Sequence, residues 1–457
     1  MAPNFLDTFG ISLILLYLIV LIVIVRIMSS LKFAEDKYTG NLLFYAFLFK
    51  IFMGLGYGFI FDYYYNWGGD TYSYFVNSCN LGDQLFRYPV DFFRVLFDQI
   101  NPDNYHTVRI TDQYYLNLSV PATYNTHRYI CLFTILGFKN YYLTTICLNS
   151  FLFIILWKFY RFVSGLFPEK KKMIAVGILF IPSATFWSSG LIKDSFTLTF
   201  SMLFVISFYK IFFLRKFSLK YILLLLFSIY IITSLKPYIF YALFISGMIW
   251  LGFSYVHLVK SRFLRIFILP PVMVIVGFVG IYAFTAIAGR VGGAYKDVDS
   301  MLSKAVGSQQ DLKQEYYEGN SFNIGDYEPT LVGTVSVTPA AIMAGLYRPY
   351  LWEARNPVML LSGLENLFLL LVTIYVLFRA GPIFFFKELA KEPFIIFCFM
   401  FSIVMAWGIG LSTSNFGALV RFKIPLLPFF LMGWLFVLDI FSKKLKEEKF
   451  EKRSVAK

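Results

Sequence analysis

The sequence predicts an all-α polytopic membrane protein, and two observations lead to that class. The chain has 457 residues, of which 58% are hydrophobic and only 15% are charged. Soluble domains are nearer to a quarter charged, so this composition excludes a disordered chain and argues against an ordinary soluble enzyme. The apolar residues are also gathered into stretches of about 20 residues, the length that a helix needs to cross a bilayer. Helices are favoured because a helix satisfies its own backbone amides in lipid.

About eleven stretches are long and apolar enough to be transmembrane helices. The first has little positive charge before it and no small-residue cleavage site after it, so we expect a retained helix rather than a signal peptide. The stretches cover residues 11–29, 40–61, 141–160, 174–190, 195–213, 219–235, 238–257, 264–288, 356–378, 393–412 and 424–441.

The charges of the loops predict the orientation. More than half of the 41 Lys and Arg residues lie in one alternate set of loops and in the C-terminal tail. The positive-inside rule therefore places the N-terminus outside and the C-terminus inside. The net charge of +14 is then a topology signal, and nucleic acid is not a predicted partner.

Six segments follow from this topology. The first outer loop contains an amphipathic stretch, 90–100, that we expect at the membrane interface. The second is rich in Gly, Ser and Asn, which is typical of a mobile lid or binding loop. The segments are 1–61 with the first two spans, 62–140 as an outer loop, 141–288 with spans three to eight, 289–355 as a mobile outer loop, 356–441 with the last three spans, and 442–457 as a basic cytoplasmic tail.

Neither metal nor cofactor chemistry is predicted. The four cysteines show no CxxC spacing, and the three histidines are scattered along the chain. A glycine-rich phosphate loop is also missing from the sequence, which argues against a nucleotide cofactor.

A first candidate residue is Asp70, in the segment GGDTYSYF after the second span. Two glycines allow a tight turn, and aromatic residues surround the acid. The side chain suits a general base or a carboxylate that binds sugar or metal. The alternative is a cap for a short helix that begins at Thr71.

Two further outer segments combine cations with helix ends. PSATFWSSGLIKDSFTL carries Lys193 and Asp194, and SLKPYIFY carries Lys236. A cation beside a helix N-terminus suits a phosphate-bearing ligand. Alternatively, Asp194 caps a helix, Lys193 pairs with it or snorkels, and Lys236 is an interfacial anchor.

Late in the chain, LYRPYLWEARNPV places Arg348, Glu353 and Arg355 among aromatic residues. Arginine matches phosphate and carboxylate with two parallel hydrogen bonds. The aromatic residues suit stacking on sugars, although a belt at the headgroup level is their commoner role.

The last span opens with STSNFGALVRFKIPLLPFF, which carries Arg421 and Lys423 on the outer side. Two prolines there interrupt the backbone hydrogen bonds of the helix, which is expected to create a polar recess. The alternative for Arg421 is a structural pair with an acid such as Glu365. Taken together, the outer cations predict a site for a multiply charged anion, and a lipid-linked pyrophosphate is the natural anion at that depth.

The segments GGDTYSYF, PSATFWSSGLIKDSF and RFKIPLLPFF resemble bacterial O-antigen and exopolysaccharide polymerases, and more broadly membrane glycosyltransferases with polyprenyl-linked donors. Those families pair an early outer acid with basic residues near the donor phosphate, and a late Arg-x-x-x-Pro segment is frequent. Here Arg421 and Pro425 have that spacing, whereas an acidic pair in the first loop is absent and Asp70 stands eight positions after Asp62.

The resemblance implies glycosyl transfer or polymerisation at the outer face of a bacterial inner membrane. Asp70 and Arg421 would be catalytic, and the remaining residues would bind a polyprenyl-linked oligosaccharide. Membrane lipids and proteins of a surface-polysaccharide or secretion pathway would be partners. The substrate-binding residues would be Lys193, Asp194, Lys236, Arg348, Glu353, Arg355 and Lys423.

Two other functions stay open. A transporter would need polar residues through the depth of its helices and broken helices near mid-membrane. An accessory subunit of a secretion or surface-assembly machine would use the outer cations as interface pairs. Changing Asp70 or Arg421 would then alter complex assembly but leave glycan length unchanged.

Overall fold

The computed structural model of the chain describes residues 7–66, 68–97, 100, 103–109, 120–256, 279–280, 298–314, 320–382, 384–385 and 391–455. Over these ranges the structure is helical and contains no β-strand, only one isolated antiparallel bridge between Ser321 and Asn415. The predicted all-α class is confirmed. Apart from residues 279–280, the predicted span 264–288 lies outside the described residues.

The helices are numbered in chain order. They are α1 (Thr8–Lys32), α2 (Lys37–Tyr63), α3 (Asp70–Arg87), α4 (Pro89–Leu96), α5 (Pro121–Leu136), α6 (Tyr141–Leu166), α7 (Lys171–Leu179), α8 (Pro182–Trp187), α9 (Lys193–Phe212), α10 (Leu219–Leu235), α11 (Pro237–Val256), α12 (Val298–Asp311), α13 (Leu331–Tyr347), α14 (Pro357–Ala380), α15 (Pro393–Ser412), α16 (Phe416–Phe422) and α17 (Leu427–Val455).

Within the described ranges, seven helices are long and apolar enough to cross a membrane: α1, α2, α6, α9, α11, α14 and α15. An eighth span results if α16 and α17, which are bent by 67°, form one broken span. These helices match predicted stretches, and they support a multi-pass membrane protein.

Two predicted spans differ from single membrane-length helices. The stretch 174–190 forms the end of α7 and the short α8, because Pro182 has no amide hydrogen to continue the helix. The stretch 219–235 forms α10, which has only 17 residues. The tail also differs, because α17 runs through most of 442–457 as a continuous helix.

The segment 289–355, predicted to be a mobile loop, contains two α-helices and one short 3-10 helix in its described part. One of them, α13, packs against α15 through small residues on both helices. A Cβ added to Gly345 would lie 2.3 Å from the carbonyl oxygen of Ala406, and one on Gly410 would lie 2.1 Å from that of Ala341. This close backbone approach is the small-xxx-small packing of membrane helices.

The first outer loop, 62–140, is also helical where it is described. The predicted amphipathic stretch forms α4, which buries Phe92 and Val95 and leaves Phe93 and Phe97 exposed. Pro89 and Pro121 begin α4 and α5, where the missing amide hydrogen has no cost.

The chain divides into two compact units, each with its own core. The first comprises Met1–Phe162, Ala184–Leu203 and Tyr230–Lys236, and the second comprises Val163–Ser183, Phe204–Ile229 and Pro237–Lys457. In the first unit, α3, α4 and α5 enclose Leu81, Phe92, Val95, Tyr124 and Cys131. In the second, stacked and edge-on rings fill the core, among them Trp250, Phe394, Phe397, Phe401 and Phe429.

Candidate functional site

The predicted site residues are divided between the two units. The first unit contains Asp70, Lys193, Asp194 and Lys236, and the second contains Arg348, Glu353, Arg355, Arg421 and Lys423.

Asp194 and Lys236 form a buried ion pair in the first unit. Asp194 lies in the first turn of α9 and is fully buried, and Lys236 follows the last residue of α10 and is 7% exposed. The Lys236 ammonium contacts Asp194 Oδ1. A carboxylate in the first turn of a helix is favoured by the helix dipole. The pair therefore fixes the N-terminus of α9 against the C-terminal end of α10.

Lys193 precedes this pair and is half-buried. Its ammonium donates to Thr123 Oγ1 at 3.2 Å and lies 5.3 Å from the centre of the Tyr74 ring. His127, whose ring centre is 5.8 Å from that of Tyr74, is buried beside them. Burial, and to a smaller extent the charge of Lys193, lowers the pKa of His127 to about 4. The imidazole is therefore neutral near pH 7, and the local positive charge belongs to Lys193.

Asp70 lies one helical turn before Tyr74 on α3. Residues four apart share a face of a helix, so the carboxylate and the ring that contacts Lys193 lie on one side of α3. The helix begins at Asp70 itself, and its N-cap is Gly69 with φ +88°. A cap by Asp70 for a helix starting at Thr71, the alternative considered from the sequence, is therefore not observed. The Asp70 side chain is exposed in the first turn.

Asp62, eight positions earlier, is the buried acid of this region. Its two oxygens accept hydrogen bonds from the hydroxyls of Tyr72 and Tyr142. Burial and the bond to Asp62 raise the pKa of Tyr72, so its hydroxyl stays protonated. Asp62 thus holds α2, α3 and α6 together, and Asp70 is the carboxylate that faces outward.

Arg128 on α5 is a buried cation that sequence reasoning missed. Its guanidinium donates to the carbonyl of Leu96 at 2.9 Å, to Asn125 Oδ1 at 2.5 Å and to the Tyr230 hydroxyl at 3.0 Å. The available signal was a single arginine just before the apolar run YICLF. Because the sequence predicts a loop over 62–140, no helical pattern indicates that this arginine is buried.

The segment before Lys193, which contains Ser188 and Ser189, is buried against α2 and α6, whereas an outer loop would be exposed. Lys50, near the middle of α2, donates to the carbonyl and hydroxyl of Ser188 at 2.7 and 2.9 Å. Asn149, eight residues along α6, donates to the carbonyl of Ser189 at 2.8 Å. Eight residues of helix span about 12 Å. The turn after α8 is thus placed alongside two membrane-length helices, and their polar side chains satisfy its buried carbonyls.

In the second unit, Arg348 is held within the protein. Its guanidinium forms a forked ion pair with Glu353 and lies 4.7 Å from the ring centre of Phe322 and 5.6 Å from that of Phe416. Glu353 also accepts from the backbone amide of Tyr350 at 2.8 Å. The Arg348 guanidinium, which was predicted to bind a phosphate, therefore binds the carboxylate of Glu353.

Lys423 is almost fully buried at the break between α16 and α17. Its ammonium donates to Asn366 Oδ1 and to the carbonyl of Arg348 at 3.0 Å. A cation at the end of α13 is favoured by the helix dipole. Arg421 is half-buried in the last turn of α16, and Arg355 is exposed just before α14. The structure thus places Lys423 on the end of α13 and leaves Arg355 at the surface.

Glu365, which the sequence suggested as an alternative partner for Arg421, binds another residue. Its carboxylate accepts from the backbone amide of Ser183 at 2.8 Å and from the Ser183 hydroxyl. It also lines an apolar cavity of about 150 Å³ together with Pro182, Phe368 and Leu427. An ionisable side chain on a membrane-length helix is a candidate for function.

No three His, Cys, Asp or Glu residues lie together as metal ligands within the part of the chain that the structure describes. Comparison of the chain with protein-family models, curated proteins and solved structures finds no match in any of the three. The function is therefore inferred from the chemistry of these side chains.

Proposed function

We propose that the protein is a membrane glycosyltransferase that uses a lipid-linked pyrophosphate sugar as donor, either adding one sugar or extending a polymer. One observation carries the proposal: Lys193 lies over Tyr74, and Tyr74 is one helical turn from the exposed Asp70 on α3. This arrangement supports the proposal that Lys193 binds a phosphate while Asp70, on the same side of α3 as Tyr74, binds an acceptor hydroxyl. Both chemistries are those that the resemblance to polysaccharide polymerases implies.

The donor would be held by Lys193 at the N-terminus of α9. This terminus carries a partial positive charge that adds to the charge of the ammonium. The buried pair of Asp194 and Lys236 fixes α9 in position, and so orients Lys193 toward the donor. In this proposal Asp194 and Lys236 are positioning residues, and Lys193 is the phosphate ligand.

The reaction is a displacement at the anomeric carbon. The acceptor oxygen forms the new glycosidic bond, while the bond between the anomeric carbon and the pyrophosphate oxygen breaks and that oxygen takes the electron pair. Lys193 stabilises the charge of the leaving pyrophosphate. Asp70 accepts the proton of the acceptor hydroxyl. Donor binding by Arg355 and Arg421, which belong to the second unit, stays a prediction from the sequence and is not part of this site. The contacts of Arg348, Glu353 and Lys423 support a structural role for these three.

We further propose that the reaction takes place on the outer face of a bacterial inner membrane. Eleven spans, an outer N-terminus and an inner C-terminus follow from the alternation of basic loops. The seven membrane-length helices of the described ranges support a multi-pass membrane protein. The number of eleven spans and the orientation rest on the sequence alone.

The experiment compares surface glycans of cells that carry Lys193→Gln or Asp70→Asn with those of wild-type cells. We expect shortened or absent glycan at normal membrane abundance. The matched controls are Lys216→Gln and Glu35→Gln, which change an exposed lysine and an exposed acid elsewhere. Full-length glycan in both site variants, with the protein present at normal abundance, would overturn the proposal.

A transporter is the second candidate, and the bend of 67° between α16 and α17 favours it. Transporter sites form at discontinuous helices near the membrane centre, and Lys423 lies at this break. Purified protein in vesicles distinguishes the two functions. A transporter would move a labelled lipid-linked saccharide across the bilayer and form no glycosidic bond, whereas a transferase would form the bond. An accessory subunit would do neither, and its variants would change complex assembly without changing glycan length.

A further inference from the structure

An open groove lies between α3 and α5 in the first unit, away from the candidate site. Its volume is about 400 Å³. The side chains of Phe86 and Phe138 at its edge are 77% and 67% exposed. Burial raises the pKa of the Cys79 thiol to about 12, so this side chain lines the groove as a neutral group. The residues that line the groove are Cys79, Gly82, Phe86, Thr134, Ile135, Phe138 and Lys139.

The groove lies beside α1 and next to the first residues of α6, two membrane-length helices. The hydroxyl of Tyr17 donates to the carbonyl of Leu136, at the end of α5, at 3.2 Å. Tyr17 is nine residues into α1, about 14 Å along a helix that has no charged residue before Arg26. Most of α1 is exposed in the structure, as expected of a helix surrounded by lipid. Phe138 lies two residues after Leu136 and is exposed, so it lies close to this helix.

An ion pair forms the polar rim of this groove. Lys139 contacts Asp83 Oδ1, and the two side chains are 50% and 30% exposed. Lys139 has φ +56°, and its backbone amide is bonded to the carbonyl of Thr134, which fixes its position at the end of α5. A positive and a negative group are thus presented side by side above an apolar groove.

We propose that this groove binds a phospholipid with an ethanolamine headgroup. One acyl chain occupies the apolar groove, the lipid phosphate binds Lys139, and the lipid ammonium binds Asp83. Charge complementarity selects this lipid, because a headgroup that lacks an ammonium would place its phosphate beside Asp83 without compensation. An apolar cavity of about 150 Å³ holds benzene, so this open groove of about 400 Å³ has room for a segment of an acyl chain. This site is independent of the proposed glycosyl transfer.

The headgroup is tested by native mass spectrometry of the full chain in detergent. Delipidated protein is mixed with phosphatidylethanolamine or with phosphatidylglycerol of the same acyl chains. We expect the ethanolamine lipid to bind more tightly, and the double variant Asp83→Asn, Lys139→Gln to lose this preference with a decrease of about threefold or more in affinity. The control is Asp91→Asn, Arg94→Gln, which removes another ion pair of the same unit, partly buried and outside the groove, and leaves the preference intact.

The acyl chain is tested with Ile135→Trp, which fills the groove and should lower binding of both lipids. A thermal melt of each variant shows whether the fold is kept, and Ile135→Val is a second variant that widens the groove with little risk to folding. Equal binding of the two lipids to the wild-type protein would overturn the proposal. Ethanolamine-lipid binding that is unchanged in the double variant would overturn it as well.

Discussion

Removal of the Lys236 ammonium should strongly destabilise the first unit. The side chains of Lys236 and Asp194 are 8% and 0% exposed, so the carboxylate would stay buried after Lys236→Met and lose this counter-charge. Breaking such a buried pair costs about 3–5 kcal/mol, whereas replacing both members with apolar residues is often close to neutral. We therefore expect a large loss of unfolding free energy in Lys236→Met and in Asp194→Leu, and a much smaller loss in the double variant.

The assay is a double-mutant cycle measured by unfolding the detergent-solubilised protein with increasing sodium dodecyl sulfate, followed by circular dichroism. The coupling energy between the two positions should reach at least about 2 kcal/mol. The control is Lys443→Met, because Lys443 pairs with Glu169 at the surface and its loss should leave the unfolding midpoint unchanged. Additive effects of the two single changes would show that the pair does not act as a unit and would refute this reasoning.

Three further predictions follow from the packing and burial. Gly410→Leu should separate α13 from α15, since even a Cβ would overlap the Ala341 carbonyl; limited proteolysis should cut α13 faster than in Gly408→Leu, where nothing lies within 4 Å. The pKa of His127 is about 4 in the folded protein and 6.5 when unfolded, so the unfolded state binds more protons between these values. The contribution of neutral His127 to the free energy of unfolding should therefore be fully present above pH 6.5, and that free energy should fall by about 3 kcal/mol as the pH decreases to 4. In a His127→Gln variant, the free energy of unfolding should depend less on pH. Because burial raises the pKa of Cys79 to about 12, N-ethylmaleimide should modify this thiol at pH 7.5 only after denaturation; rapid labelling of the native protein, seen by mass spectrometry, would contradict its burial.

The long spans could be predicted because apolar runs of this length have few other structures available in lipid. α13 could not, because its 17 residues are shorter than a membrane span and contain Pro339 among Gly, Ser and Thr. Its packing depends on Ala341 and Gly345 lying opposite Ala406 and Gly410, and the absence of side-chain bulk is a weak signal in a single sequence. The break at Pro182 was visible in the sequence, but the surrounding apolar residues favoured a continuous helix.

The sequence predicted which residue types lie in the candidate site, but it did not predict which of them form ion pairs with each other. Asp194 and Lys236 are 42 positions apart, and nothing in either segment identifies the other as its partner. Arg348 and Glu353 are five positions apart, yet the sequence could not show that the arginine binds this glutamate rather than a ligand. Arg128 was missed because its burial depends on α5 packing against α3 and on Tyr230 from α10. Charge and aromatic content therefore indicate where a site lies, whereas the tertiary contacts decide which groups are available to a substrate.

The tight fit of α13 and α15 has a consequence for how the chain enters the membrane during synthesis. A helix of 17 residues with a proline inside it is at the lower limit of length for crossing a bilayer on its own. α15, which is made later, offers the matching surface of small residues. The ribosome would thus release α13 before its partner exists, and its final position would be reached only after α15 has emerged.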